Sequence, residues 1–126
     1  MTDSANKLFR ILVWLFLIAV VAQVFLAGLV VVSRPAQTNW DYHEALGHAM
    51  VIFLLPMLIV MYLGRATPEV KLLTWVLFLV WVIQVYVLVI FLRQSMPVLA
   101  ALHPVLALAD FWLALRLLGA TKTAAA

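Results

Sequence analysis

The sequence contains no cysteine and only a small proportion of charged residues. The lack of thiols excludes a disulfide framework, an iron–sulfur cluster, a thiolate zinc site and haem attached covalently through a C-x-x-C-H motif. Charged residues make up 10% of the chain, whereas about 25% is usual in soluble domains. The basic residues are scattered at the ends of apolar stretches, so the net charge of +3 does not indicate a nucleic-acid partner.

Apolar residues are abundant instead and make up 68% of the 126 residues. Proline, glycine, serine and arginine divide them into four stretches, at about 11–33, 42–63, 70–92 and 97–118. Each stretch is long enough to cross roughly 30 Å of hydrocarbon as a helix. The sequence therefore predicts a single all-α membrane domain over residues 1–126, a bundle of four transmembrane helices. The first stretch is interpreted as a retained span and not as a signal peptide.

The short connections between spans predict antiparallel neighbours, and the basic residues predict their orientation. With the N-terminus inside, two basic residues, Arg34 and Arg93, lie outside. Six then lie on the inner side, namely Lys7, Arg10, Arg65, Lys71, Arg116 and Lys122. We therefore expect both termini in the cytoplasm and the protein in the inner (plasma) membrane of the cell.

The two halves of the chain resemble each other. The segment WLFLIAVVAQVF, at 14–25, matches WVLFLVWVIQVY, at 75–86, so that Gln23 aligns with Gln84. The following spans contain Ala-Leu-Gly-His, ending at His48, and Ala-Leu-His, ending at His103. The alternative is chance similarity between two apolar helices. A true duplication would give two hairpins related by a pseudo-two-fold axis along the membrane normal, with His48 opposite His103.

His48 and His103 are the candidate ligands of a metal cofactor. Both lie about six residues into their spans, hence at one depth, and small residues such as Gly47 and Ala107 flank them. Two imidazoles facing each other across a bundle could hold one haem iron from both sides. The alternative is that each histidine serves helix packing. The motif His43-Glu44-Ala45-Leu46-Gly47-His48 does not fit a zinc protease, because its histidines are five apart instead of four.

Further polar residues complete the candidate haem site. His43, Arg34 and Arg93 could meet haem propionates near the outer interface, although ordinary interfacial anchoring is the simpler explanation for each arginine alone. Glu44 could orient His48 or carry a proton, or it could be a carboxylate favoured by the start of a helix.

The remaining candidates lie deeper in the spans. Gln23 and Gln84 are expected near mid-membrane, bonded to each other or to the backbone, and Tyr86 near the histidines. Asp110 follows His103 on the same helical face and is either a bonded acid or part of a proton path. Prolines at 56 and 104 are expected to kink spans 2 and 4.

This pattern resembles one four-helix half of haem A synthase. In that family an axial histidine stands on the second and fourth helix of each half, and a glutamate precedes the second-helix histidine; Glu44, His48 and His103 would match. The chain also looks like a family of small bacterial four-span proteins with an H-x-A-L-G-H stretch and an L-H-P stretch. The synthase glutamate lies three residues before its histidine and an arginine follows, whereas here the gap is four and Ala49 follows. The resemblance therefore implies haem binding more than haem hydroxylation.

The sequence thus predicts a b-type cytochrome of the membrane, with one non-covalent haem b and a role in electron transfer or haem handling. Its expected partners are the lipid bilayer, a redox partner or quinone, and a second copy of the chain in a homo-oligomer. Whether the protein is an enzyme is left open. The rival interpretation is a cofactor-free structural or assembly subunit of a membrane complex. A third is a small transporter lined by Gln23, Gln84 and Asp110.

Topology reporters test the predicted orientation. Fusions placed after Leu63 and at the C-terminus should both report a cytoplasmic location, because the six basic residues of the inner side resist translocation. A fusion within residues 34–39 should report the opposite side. A periplasmic signal after Leu63 would reverse the topology and put the histidines near the inner surface.

Overall fold

The computed structural model describes residues 1–33, 40–92 and 95–123, without the side chains of 91, 92, 97, 122 and 123. These residues form helices and no strand. The helices are α1 (Asp3–Val32), α2 (Asp41–Ala49), α3 (Val51–Leu63), α4 (Pro68–Val82), a π-helix (Ile83–Leu92), α5 (Pro97–Ala100) and α6 (His103–Thr123). Four helical stretches are long and apolar enough to cross a membrane, namely Asp3–Val32, Asp41–Leu63, Pro68–Ile90 and Val98–Thr121. The prediction of an all-helical protein with four potential spans is therefore confirmed.

The connection between the second and third spans is set by helix-end chemistry. Arg65 has a φ of 55°, and the N–H groups of Ala66 and Arg65 donate to the carbonyls of Met61 and Tyr62. This arrangement is the Schellman motif that commonly ends a helix. The next helix begins two residues later, where the Thr67 hydroxyl accepts from the Val70 N–H at 3.4 Å and Pro68 occupies the first helical position.

Two of the spans are interrupted. In span 2 the interruption is at Met50, between α2 and α3, whereas Pro56 lies inside a continuous α3. In span 4 the helix is interrupted at Ala101 and Leu102 and restarts at His103. The Pro104 ring cannot accommodate the carbonyl of Ala100 in a continuous helix, so this proline begins α6 instead of bending it.

The helices pack in a ring. α1 contacts α3 and α6, and α4 likewise contacts α3 and α6. At one end of the bundle Asn6 Nδ2 donates to the Thr121 carbonyl at 3.2 Å, and Arg10 donates to the Leu118 carbonyl at 2.7 Å and to the Thr121 hydroxyl at 3.0 Å. These bonds satisfy the last carbonyls of α6 and bring the first turns of α1 against the last turns of α6.

On α1 and α6 the buried core occupies only part of each helix. In α1 the buried apolar side chains run from Phe9 to Val20, although the helix continues to Val32. In α6 the first buried residue is Asp110, although the helix begins at His103. We call the half with the Asn6–Thr121 contact the closed half. The open half comprises residues 21–33, α2, the π-helix and residues 103–109.

The same positions are buried in both halves of the chain. Phe9, Val13, Phe16 and Val20 of α1 align with Val70, Thr74, Leu77 and Trp81, in the register that aligns Gln23 with Gln84, and all eight are buried. The second and fourth spans show a corresponding match of buried positions. Met50, Leu54, Met57 and Met61 of span 2 align with Asp110, Ala114, Leu117 and Thr121 of span 4, and all eight are buried. That second register aligns His103 with His43, whereas the sequence comparison had aligned it with His48.

A glycine substitution tests the packing of the closed half. A Cβ at Gly64 would lie 2.6 Å from Ala5 Cβ and 2.9 Å from the Val60 carbonyl oxygen, so Gly64→Ala should cost about 1–3 kcal/mol of stability. Gly28→Ala is the matched control, because nothing lies within 4 Å of its Cβ. Thermal unfolding followed by circular dichroism in detergent should show a lower midpoint for Gly64→Ala alone. Equal midpoints would contradict this packing.

Candidate functional site

Two histidines of the open half make the same contact with a neighbouring span. His43 Nδ1 lies 3.1 Å from the carbonyl oxygen of Gln23, and His103 Nδ1 lies 3.3 Å from that of Gln84. Gln23 and Gln84 occupy equivalent places in the two halves of the chain. The two histidines are therefore held in equivalent ways, each by the helix that precedes it.

These contacts define the proton position on both rings. A carbonyl oxygen carries no hydrogen, so Nδ1 of each imidazole must be the donor. In a neutral imidazole the other nitrogen, Nε2, then has the free lone pair. A backbone carbonyl on one ring nitrogen is the usual way in which proteins orient a metal-binding histidine and select its tautomer.

The two rings lie next to each other. The ring centroids of His43 and His103 are 5.9 Å apart with an angle of 69° between the planes, and Trp40 packs edge-on against His43 with centroids 5.4 Å apart. Both histidines are half-buried. The described residues therefore contain one close imidazole pair, and it joins the second span to the fourth.

His48 occupies a different environment. Its side chain is exposed, and its ring lies 5.6 Å from that of Tyr86, whose ring in turn lies 5.6 Å from Trp81. Trp81 is buried and its indole N–H donates to the Gly47 carbonyl at 3.1 Å. The ring next to His103 is thus that of His43, whereas the ring of His48, the predicted partner, lies beside Tyr86.

The glutamine side chains do not bond to each other. Gln23 Oε1 and Gln84 Oε1 are buried and have no hydrogen-bond partner among the described residues, which excludes the predicted amide pair. The Gln23 amide instead fills the space beside Gly47, where a Cβ would lie 2.7 Å from Gln23 Nε2. Because Gly47 has no side chain, α1 and α2 can approach each other closely at the level of the histidine contacts.

The histidine pair supplies two ligands and no more. Among the residues that the structure describes, no three His, Cys, Asp or Glu side chains come close enough to hold a metal ion. Two ligands are too few for a structural zinc ion, which takes four. They are sufficient for a haem iron, because the porphyrin supplies four nitrogens and the protein only the axial ligands.

Three further residues were predicted to belong to the site, namely Glu44, Arg34 and Arg93. Glu44 directly follows His43 on α2, and its side chain is exposed. Arg34 and Arg93, the predicted propionate partners, lie outside the described residues.

One sequence signal would have identified His43. The inward positions of span 2 recur every three or four residues, at Gly47, Met50, Leu54 and Met57. Extending that spacing towards the N-terminus reaches His43, whereas His48 falls beside the stripe.

Fold and site together define a small four-helix membrane protein with a histidine pair in its open half. The chain belongs to a family of unknown function (DUF6220), which matches residues 23–90. No curated protein and no solved structure matches the chain. The matched range includes Gln23, His43 and Gln84 and ends before His103, and the resemblance to haem A synthase stays a prediction.

Cross-linking tests the histidine pairing without any cofactor. The chain has no cysteine, so His43→Cys with His103→Cys introduces the only two thiols. A short bifunctional thiol reagent should link them within one molecule several-fold faster than it links His48→Cys with His103→Cys, because only the first pair starts from rings in contact. Intact mass spectrometry distinguishes one bridging reagent from two dead-end additions. Equal rates would show that His48 also faces His103.

Proposed function

We propose that this protein is a membrane-embedded b-type cytochrome that binds one haem b between its second and fourth spans. The observation that carries the proposal is the His43–His103 pair, in which backbone carbonyls hold both Nδ1 atoms and leave both Nε2 atoms available. His43 takes the place that was predicted for His48, and His103 keeps its predicted role.

The spacing of the rings supports axial ligation. Two imidazoles bound on opposite sides of one metal, each through a bond of roughly 2 Å, have ring centroids about 6 Å apart. The centroids of His43 and His103 are 5.9 Å apart. The separation of the two rings is therefore close to the one that a shared iron would require.

The open half supports a cofactor-sized ligand. Residues 21–33 of α1 and 103–109 of α6 contain no buried side chain, so the packed core ends where the histidines begin. A ligand there would lie against apolar side chains on several spans, and bundles commonly build cofactor sites from facing helices.

Electron transfer is the role that two histidine ligands favour. A haem iron supplies reversible one-electron chemistry, and two imidazoles leave it no open position for oxygen. The protein residues orient the ligands: the Gln23 and Gln84 carbonyls fix the imidazole tautomers, and Trp40 limits rotation of the His43 ring. We propose a quinone or a redox protein as the partner, and the pair Arg34 and Arg93 as contacts for the propionates.

The orientation of the spans belongs to the same proposal. Antiparallel neighbours are supported by the contacts of Asn6 with Thr121 and of Thr2 with Gly64, since each joins the start of α1 to the end of another span. The basic residues favour both termini in the cytoplasm. This orientation would put the histidine pair in the outer half of the inner membrane.

The matched burial of the two halves supports an origin by duplication, and a homo-oligomer stays a further proposal.

A visible spectrum of the purified protein tests the haem. Protein made in haem-replete cells should show the sharp reduced α-band of a six-coordinate low-spin haem. His43→Ala and His103→Ala should each leave a five-coordinate spectrum or no haem, because each removes one axial ligand. His48→Ala is the matched control on the same helix and should keep the wild-type spectrum.

Each other outcome supports a different interpretation. If His48→Ala abolishes the low-spin spectrum and His43→Ala preserves it, the ligands are His48 and His103. Colourless wild-type protein would overturn the cytochrome and favour the structural or assembly subunit.

A further inference from the structure

Asp110 is a carboxylic acid buried inside the fourth span. Its side chain is 0% exposed, and neither of its oxygens has a hydrogen-bond partner among the described residues. It is the first buried residue of α6 and lies about two turns after His103 on the same face. The carboxyl group therefore sits where the closed half meets the open half, roughly 10 Å along the helix axis from His103.

Two helices that pack against α6, namely α1 and α4, contribute no charged side chain near Asp110. The charged residues of α1 and α4 are Asp3, Lys7, Arg10, Glu69 and Lys71, all within the first three turns of their helices. Arg10 is bonded to α6 near its end, and Glu69 lies 3.6 Å from Arg116. From α1 and α4 the buried side chains in between include Phe16, Val20, Leu77 and Trp81.

On the other side of Asp110 lie titratable groups of the open half. They are His103 itself, His43 beside it, and Tyr86 on the π-helix, which also packs against α6. None of these side chains is a hydrogen-bond partner of the carboxyl oxygens. An ionised carboxylate in such surroundings is strongly unfavourable unless a positive charge is close. The proposed haem would supply that charge in only one of its oxidation states.

We propose that Asp110 is the charge-compensating acid of the haem and binds a proton when the haem is reduced. This inference rests on the proposed function. Ferric iron in a porphyrin carries a net charge of +1 at the macrocycle, which favours an Asp110 carboxylate. When a one-electron donor reduces the iron, that charge disappears, and Asp110 takes up one proton from water. One electron and one proton enter together, so the net charge inside the membrane stays constant.

The midpoint potential of the haem should therefore depend on pH. Because reduction takes up a proton, the potential falls as pH rises, by up to about 59 mV per pH unit for one proton with one electron. The slope applies over the pH range in which Asp110 is ionised beside the oxidised haem and protonated beside the reduced haem. Outside that range the potential should be flat.

Spectroelectrochemical titration of the holoprotein at several pH values tests the inference. Wild type should show the pH-dependent slope, and Asp110→Asn should remove it and raise the potential at high pH, since the negative charge is lost. Glu69→Gln is the matched control: it also removes one acid of a span, but its side chain is exposed, so the slope should persist. Asp110→Leu, which fills the site with an apolar side chain, provides a second variant should the amide disturb folding.

Infrared difference spectra give a second readout. The reduced-minus-oxidised spectrum of wild type should contain a positive band of a protonated carboxylic acid, absent in both Asp110 variants. A haem-containing wild type with a flat potential, or an Asp110→Asn variant that keeps the slope and the band, would overturn this inference while the cytochrome stands. Protein without haem would overturn both.

Discussion

In the hydrocarbon of a membrane, each polar group of the chain must find its partner within the protein. The described residues follow this constraint closely. The hydroxyls of Thr74 and Thr121 donate back to carbonyls four residues earlier, at 2.7 and 2.8 Å. The Arg10 guanidinium reaches across to the end of α6, and the Trp81 indole reaches the Gly47 carbonyl. The same requirement positions the two half-buried histidines, whose Nδ1–H groups use glutamine carbonyls of the preceding span.

Most departures from this constraint lie together, whereas one, Asn6 Oδ1, lies at the far end of the closed half. Gln23 Oε1, Gln84 Oε1 and both Asp110 oxygens are buried without partners, at or below the level of the histidine pair. The closed half is packed by apolar side chains, and its Asn6–Thr121 end is bonded across helices, whereas in the open half only the π-helix contributes buried apolar side chains, Val85 and Leu88. Unpartnered polar atoms inside a span are costly, so their concentration beside the open half is typical of a functional site. The proposed redox cofactor and its proton would account for both features.

The sequence predicted the coarse fold well, because long apolar stretches leave a chain few alternatives. All four spans appeared near their predicted bounds, and the Trp14/Trp75 register agreed with the pattern of buried positions. Local rules were less reliable. In span 2 the helix is interrupted at Met50, whereas Pro56 lies inside α3. The short motif Ala-Leu-Gly-His aligned His103 with His48, because a match of a few residues cannot reveal a shift by one and a half turns.

By itself, the sequence determined that this protein is a membrane helix bundle, that cysteine chemistry is absent, and that its histidines are the leading candidates for axial haem ligation. These properties depend on composition and on the length of apolar runs, which do not change with the arrangement of the helices. The tertiary structure alone decided which histidines meet. Which side chains face each other depends on the rotation of each helix about its axis. The packing of Met50, Leu54 and Met57 into the core turns His43 inward and leaves His48 exposed.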